Sequence, residues 1–393
     1  MEYCKDNGRS SSEAIIKNMK KKWLFTPGPT PIPPEALLAM AQPIDYHRSE
    51  DTVALIKDIL EKLKHVFQTE NDVLFLTSSG TGAMEGAVAN LLSRGDKVIV
   101  IQSGKFGERW NDICTAYGIE VILIDVTWGD SVEPQAVEAL LAEHPDVKAV
   151  FATLCETSTG ALHDIEALAR LTRVRPTLLV VDAVSALAAD DLQMDNWGVD
   201  VVVSCSQKGL MTPPGLAFAA LNQRAWEAVA CSDLPKYYLD FRKAHQSGLE
   251  GSVPYTPAIT LLTALQCALN RICTAGIRTT IARHSRLAVA TRSAVKALGL
   301  SLFATSPANT LTSIRLPAEI DGKAFVNLMR DRYGITYAGG QSQLSGKIVR
   351  IAHLGWMNEN DAIVAISAFE RGLCSIGYDV PLGAGVTAAQ EIF

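Results

Sequence analysis

Apolar, β-branched runs recur along this chain at 72–77, 97–102, 121–126, 149–154, 177–181, 199–204 and 216–221. Each has the length of a strand buried on both faces, and several are separated by amphipathic stretches such as 132–142 and 165–172. Strands alternating with helices predict an α/β fold with a mostly parallel, helix-covered sheet. Ligands on such sheets bind beyond the carboxyl ends of the strands. The pattern changes after a long helical stretch from 259 to about 298, with strands expected at 312–316 and 347–352 and helices at 323–333 and 359–373. The expected organisation is a polar extension over 1–22, a large domain over 23–270 and a smaller C-terminal α+β domain over 271–393. The first residues of the large domain are free to pack on the smaller one.

Composition narrows the function classes. Of 393 residues, 48% are hydrophobic and 20% charged, as in an ordinary folded protein, and the net charge of −6 gives no reason to expect nucleic acid or an anionic membrane as partner. No apolar stretch approaches membrane-spanning length, and no signal-peptide core is read at the N-terminus. The eight cysteines contain no Cys-x-x-Cys pair, and Cys155, Cys205 and Cys267 sit in apolar stretches as reduced thiols do, so the cytoplasm is the expected compartment. The seven histidines lack metal-ligand spacing, and no metal site is expected.

Several strand ends carry chemistry. The run at 177–181 leads into Asp182, and that at 199–204 leads through Cys205, Ser206 and Gln207 into Lys208. An acid and a lysine at neighbouring strand ends suit pyridoxal 5'-phosphate (PLP): the lysine carries the coenzyme and the acid keeps its ring nitrogen protonated. Taken alone, Lys208 reads equally as a lysine capping a strand at the surface. Ser79, Gly80 and Thr81 open the helical stretch Ala83–Asn90, a turn that could receive a phosphate or simply cap the helix. Phe106 lies between two glycines just after a strand and could lie flat on a pyridine ring. Thr157 could hydrogen-bond the coenzyme's ring oxygen or belong to a Ser/Thr turn. Arg350, at another strand end, is either a fork for a carboxylate or the partner of a surface acid.

Together these segments resemble the class V, fold-type I PLP aminotransferases, within them the alanine/serine–glyoxylate aminotransferase group. The resemblance runs from Thr26-Pro27-Gly28-Pro29-Thr30 to Arg350-Ile351-Ala352-His353-Leu354-Gly355 and includes Ser-Gly-Thr-Gly-Ala-Met-Glu (79–85), Gly-Lys-Phe-Gly-Glu-Arg-Trp (104–110), Glu-Thr-Ser-Thr-Gly (156–160), Val-Asp-Ala-Val-Ser (181–185) and Ser-Gln-Lys-Gly-Leu (206–210). It implies that Lys208 is the Schiff-base lysine and Asp182 the partner of the ring nitrogen. It assigns Ser79, Gly80, Thr81 and Gln207 to the phosphate, with Thr256 reaching the phosphate of a neighbouring subunit, so that a homodimer is the smallest competent unit. Arg350 would clamp the substrate carboxylate, with the backbone at Gly28 lining the same pocket. The implied reaction moves the amino group of a small amino acid, alanine or serine, to a 2-oxo acid, glyoxylate or pyruvate. Aspartate–glyoxylate or ureidoglycine–glyoxylate transamination is the alternative, followed by a class V lyase of the cysteine desulfurase type. That last group has histidines where this chain has Gln207 and Phe106.

Overall fold

The computed structural model describes residues 21–393; most of the polar stretch 1–22 lies outside the described residues. In chain order the strands are β1 (Trp23–Phe25), β2 (Val73–Ser78), β3 (Lys97–Gln102), β4 (Glu120–Asp125), β5 (Ala149–Thr153), β6 (Cys155–Glu156), β7 (Ala161–Leu162) and β8 (Leu178–Asp182). They continue with β9 (Val201–Cys205), β10 (Gly215–Leu221), β11 (Ser301–Leu302), β12 (Leu311–Arg315), β13 (Ile335–Gly339) and β14 (Ile348–Ala352). The apolar runs build a seven-stranded sheet in the order β2-β10-β9-β8-β5-β3-β4. Its strands are parallel except β10, which runs antiparallel to both neighbours.

Period-two alternation explains why this sheet is covered on both sides. Val150, Ala152, Leu179, Val181 and Val202 join one core with Ile56, Leu63 and Leu265. Their odd-and-even neighbours Ala149, Phe151, Leu178, Val180 and Val201 join the other, with Met84, Ala87 and Trp110. Two helices of that second face matter for the site: α1 (Gly80–Leu91), which follows β2, and α2 (Lys105–Ala116), which follows β3.

A five-stranded sheet, β1-β13-β14-β12-β11, lies downstream and is built around Phe25, Ile314, Val349, Phe325 and Phe369. Its edge strand β1 comes from the start of the described chain and pairs parallel with β13, Trp23 opposite Ile335. Neither β1 nor β13 was expected from the sequence, because three residues give no periodicity and 335–339 includes a glycine.

The single long helix expected over 259–298 is two helices, α3 (Ile259–Ala275) and α4 (Ile277–Ala297). Gly276 divides them at φ +82, a backbone state that α-helix excludes and glycine adopts freely. The helix expected at 323–333 turns at Met329 into a π-helical turn ending at Tyr333. The helix expected at 359–373 runs two residues further, as α5 (Glu359–Ser375).

The centre of the large sheet is where a packing defect costs most. Phe151 is fully buried, with its ring 4.8 Å from that of Trp110. Phe151→Ala is expected to lower stability by about 3–5 kcal/mol, read as a lower urea midpoint at unchanged slope.

Candidate functional site

Asp182, Lys208, Gly28, Thr157 and Arg350, singled out above, converge at one end of the large sheet. Thr153, Asp182 and Val203 are register partners across β5, β8 and β9, so Asp182 closes its strand beside the turn that follows β9. Lys208 is in that turn and is buried. The Ser206 hydroxyl closes the turn, donating to the Pro213 carbonyl (2.7 Å) and accepting from the Leu216 N–H (3.3 Å).

A second segment lies across the lysine. The Thr30 N–H donates to the Gln207 carbonyl (3.1 Å), and its hydroxyl to the Lys208 carbonyl (3.0 Å). The Lys208 amine donates to the Pro27 carbonyl at 2.6 Å and to the Ser185 hydroxyl at 3.3 Å. Gly28 sits at φ +145, and a Cβ there would stand 2.3 Å from Lys208 Cε. The backbone conformation favours glycine, and any other side chain would displace the Lys208 amine.

From the amine a chain of contacts reaches Arg350. Ser185 shares a hydrogen bond with the Thr157 hydroxyl. The Thr157 carbonyl accepts from Arg350 Nη1 at 2.8 Å, while Nε and Nη2 both donate to the Gly339 carbonyl (3.0 and 2.7 Å). Arg350 is buried and bonded to carbonyls, which removes the alternative of a surface ion pair. A guanidinium carries five N–H donors; these bonds occupy three of them.

Burial dominates the electrostatics. It pushes the Asp182 carboxyl up to about 6, opposed by the Val184 N–H at 2.7 Å; Glu156 raises it further, and Arg109 and Lys208 pull it down. It lowers the Lys208 amine, so that a neutral amine becomes accessible. It also lowers Arg350 to about 10, with the Glu156 charge acting the other way.

The turn at 79–81 opens α1. Ser79 holds the N-cap position, but its side chain caps no backbone N–H. Gly80 packs against Val184 and Cys205, since a Cβ there would stand 2.7 Å from Val184 Cγ2, and this sets the helix start beside the ends of β8 and β9. Gln207 presents a buried side-chain oxygen with no partner.

Phe106, expected just after a strand, lies in the first turn of α2, half-buried, with the Arg109 guanidinium 4.8 Å from its ring centre. Thr256 is exposed in the loop before α3 and lines a small cavity with Thr77 and Tyr238, without a hydrogen bond to the Lys208 cluster. A larger cavity of about 700 Å³, lined by His163, Asp190, Arg278 and Asn309, contains none of the cluster. Ser185, Thr30 and Glu156 were not singled out from the sequence. All three stood inside quoted motifs, yet only the fold shows what they touch.

Residues 22–359 match the family profile described as Aminotransferase class-V. The chain belongs to the class-V aminotransferases. Among curated relatives it is 42% identical to a protein of Synechococcus sp. named "Soluble hydrogenase, small subunit", over 95% of this chain and 98% of that one. It is 37% identical to the L-aspartate–glyoxylate aminotransferase of Paracoccus denitrificans, over 94% and 95% of the two chains. It is likewise 37% identical to the serine–glyoxylate aminotransferase of Arabidopsis thaliana, over 93% and 94%. Among solved structures, the alanine–glyoxylate aminotransferase from Nostoc sp. shares 31% identity at a TM-score of 0.87, covering 90% of this chain and 96% of that one. The α/β fold, with its large mixed sheet, is that of this aminotransferase family.

The buried carboxyl gives a pH signature for the coenzyme-free aminotransferase. A carboxyl whose folded pKa (about 6) exceeds its ordinary value (3.8) holds its proton more tightly when folded. Its burial cost is therefore complete above about pH 6 and is relieved as pH falls toward 3.8. Asp182→Asn is expected to stabilise the protein near neutral to alkaline pH and to lose that advantage in mild acid, checked by urea midpoints on either side of the window.

Proposed function

We propose that this aminotransferase uses PLP to move the amino group of a small amino acid, alanine or serine, to a 2-oxo acid, glyoxylate or pyruvate. The observation that carries this reading is the buried chain of contacts from the Lys208 amine through Ser185 and Thr157 to Arg350. It sets a neutral-capable amine and a carboxylate-binding cation on one scaffold.

The residues fit the coenzyme. Lys208 is the amine that would hold its aldehyde, and Asp182 the acid that would face its ring nitrogen. A protonated ring nitrogen beside Asp182 supplies the counter-charge that returns this carboxyl to its ionised form. The N–H groups of α1 that Ser79 leaves uncapped, with Gly80 and Thr81, suit a phosphate. Gln207 would join them through its side-chain NH₂, the donor end of the amide. Thr157 and the Phe106 ring would border the pyridine, and Gly28 brings backbone close to the reacting amine.

When bound, the coenzyme supplies an electron-deficient ring that takes up the electron pair left at the amino acid's Cα. The protein does the rest. Arg350 orients the substrate through its carboxylate, using donors that remain beyond those given to Thr157 and Gly339. Lys208 Nζ would take the Cα proton and deliver it to the coenzyme's aldehyde carbon, which burial permits by disfavouring the ammonium form. The 2-oxo acid retraces the path on the same groups, so donor and acceptor bind in turn.

The subunit works in the cytoplasm as a homodimer, with Thr256 lent to the neighbouring phosphate. Supporting this, Thr256 stands beside exposed aromatics: Tyr237 is 71% and Tyr238 49% exposed, and Tyr238 stacks on Tyr255. Such a patch suits an interface. Relatives named for aspartate and for serine leave aspartate as the second donor to be tested.

The test is a steady-state panel of alanine, serine, aspartate and ureidoglycine against glyoxylate and pyruvate. Parallel double-reciprocal lines are expected. PLP is expected to give the protein a visible absorption band, which Lys208→Ala removes along with about 10³-fold or more of the transamination rate. A colourless protein that takes up no PLP would sink the reading.

A further inference from the structure

Glu156, in β6, is completely buried, and no role has been given to it above. Its carboxylate accepts four hydrogen bonds. Oε2 takes the N–H groups of Phe106 (3.0 Å) and Gly107 (3.1 Å); Oε1 takes the N–H of Ser158 (3.1 Å) and the Ser158 hydroxyl. The Ser158 oxygen in turn accepts from the Lys105 N–H at 3.1 Å.

These donors have a common origin. The first N–H groups of a helix have no partner within it, and those of Lys105, Phe106 and Gly107 belong to the first turn of α2. The N-cap is Gly104, which has no side chain to satisfy them. The cap comes instead from a strand about fifty residues away. The fit is tight: a Cβ on Gly104 would lie 2.3 Å from Ser158 Oγ and 2.6 Å from the Glu156 carboxyl carbon.

The same strand continues directly into Thr157, which holds Arg350 through its carbonyl and Ser185 through its hydroxyl. One carboxylate therefore ties the Phe106 turn to the backbone that carries the Arg350 and Lys208 contacts. Its negative charge also acts on both Asp182 and Arg350.

We propose that Glu156 is the positioning residue that fixes the Phe106 ring relative to the Lys208–Arg350 cluster, and so sets where the coenzyme's pyridine ring sits. This rests on the PLP reading above. Glu156 touches neither substrate nor coenzyme; it acts through Phe106 and Thr157. A carboxylate suits the site because three of the four partners are backbone N–H groups, which can only donate. In Glu156→Gln one oxygen becomes an NH₂ group, and at least one backbone N–H then faces a donor.

The experiment compares the parent chain with Glu156→Gln, Phe106→Ala and the double variant. In coenzyme-free protein, hydrogen exchange at the Phe106 and Gly107 amides should quicken about tenfold or more in Glu156→Gln. With PLP added, the coenzyme Kd should rise about tenfold, and the visible circular dichroism of the bound coenzyme should fall while far-ultraviolet dichroism stays unchanged. A cap that served only the helix would leave the visible band as it was. The Kd effects of Glu156→Gln and Phe106→Ala should also fail to add, because both act on one ring.

Unchanged exchange, Kd and visible dichroism in Glu156→Gln would overturn the proposal, as would full additivity with Phe106→Ala. Should Glu156→Gln not fold, Ser158→Ala removes one of the four donors and is held to the same outcomes. A parent chain that takes up no PLP would overturn the functional reading and the coenzyme half of this inference. The exchange data would still decide whether Glu156 holds the Phe106 turn.

Discussion

Thr30 and Lys208 form the joint on which the site depends. Two hydrogen bonds from Thr30, one from its N–H and one from its hydroxyl, hold the 27–30 segment against the turn that follows β9. That segment begins in β1, an edge strand of the five-stranded sheet, while the turn hangs from the seven-stranded one. The two sheets are thus joined across the amine itself, and Gly28 makes so close an approach possible. A side chain there would push the end of the lysine out of its place.

Around that joint the protein buries two acids, Glu156 and Asp182, and two bases, Lys208 and Arg350. Removing four ionisable groups from water is costly unless each finds compensation. Glu156 is fully hydrogen-bonded and Arg350 is held by two carbonyls. Burial opposes the ordinary charged form of all four, and Asp182 and Lys208 meet it with fewer hydrogen bonds than Glu156 and Arg350 do. The uneven compensation separates groups that only shape the cluster from groups ready to exchange protons or to accept a charged partner.

The parts of this arrangement legible in the sequence were those written in local pattern. β-branched runs ending in Asp182 and Lys208 announced both strands and their carboxyl ends, and the glycines near 80 announced a helix start against neighbouring strands. What escaped depended on distant contacts. The first turn of α2 carries no capping side chain of its own, since Glu156 supplies the cap from another strand, so nothing local marks the helix start that holds Phe106. Ser185 and Thr30 are hydroxyls in turns, where such residues are common, and only their proximity to Lys208 distinguishes them. The break between α3 and α4 rests on Gly276 alone, within a stretch otherwise helical in character. Thr256 stands apart for a different reason: the role expected for it requires a second subunit.

The way Arg350 is held has a further consequence. Its guanidinium is braced by backbone oxygens and, among the described residues, faces no carboxylate across a hydrogen bond, so its charge is kept in place yet left unspent. An arriving anion meets a cation already oriented and already stripped of most of its hydration, and little torsional freedom is lost on contact. Mobile ions hardly penetrate such a recess, so the attraction should depend only weakly on ionic strength, unlike that of an arginine on an open surface.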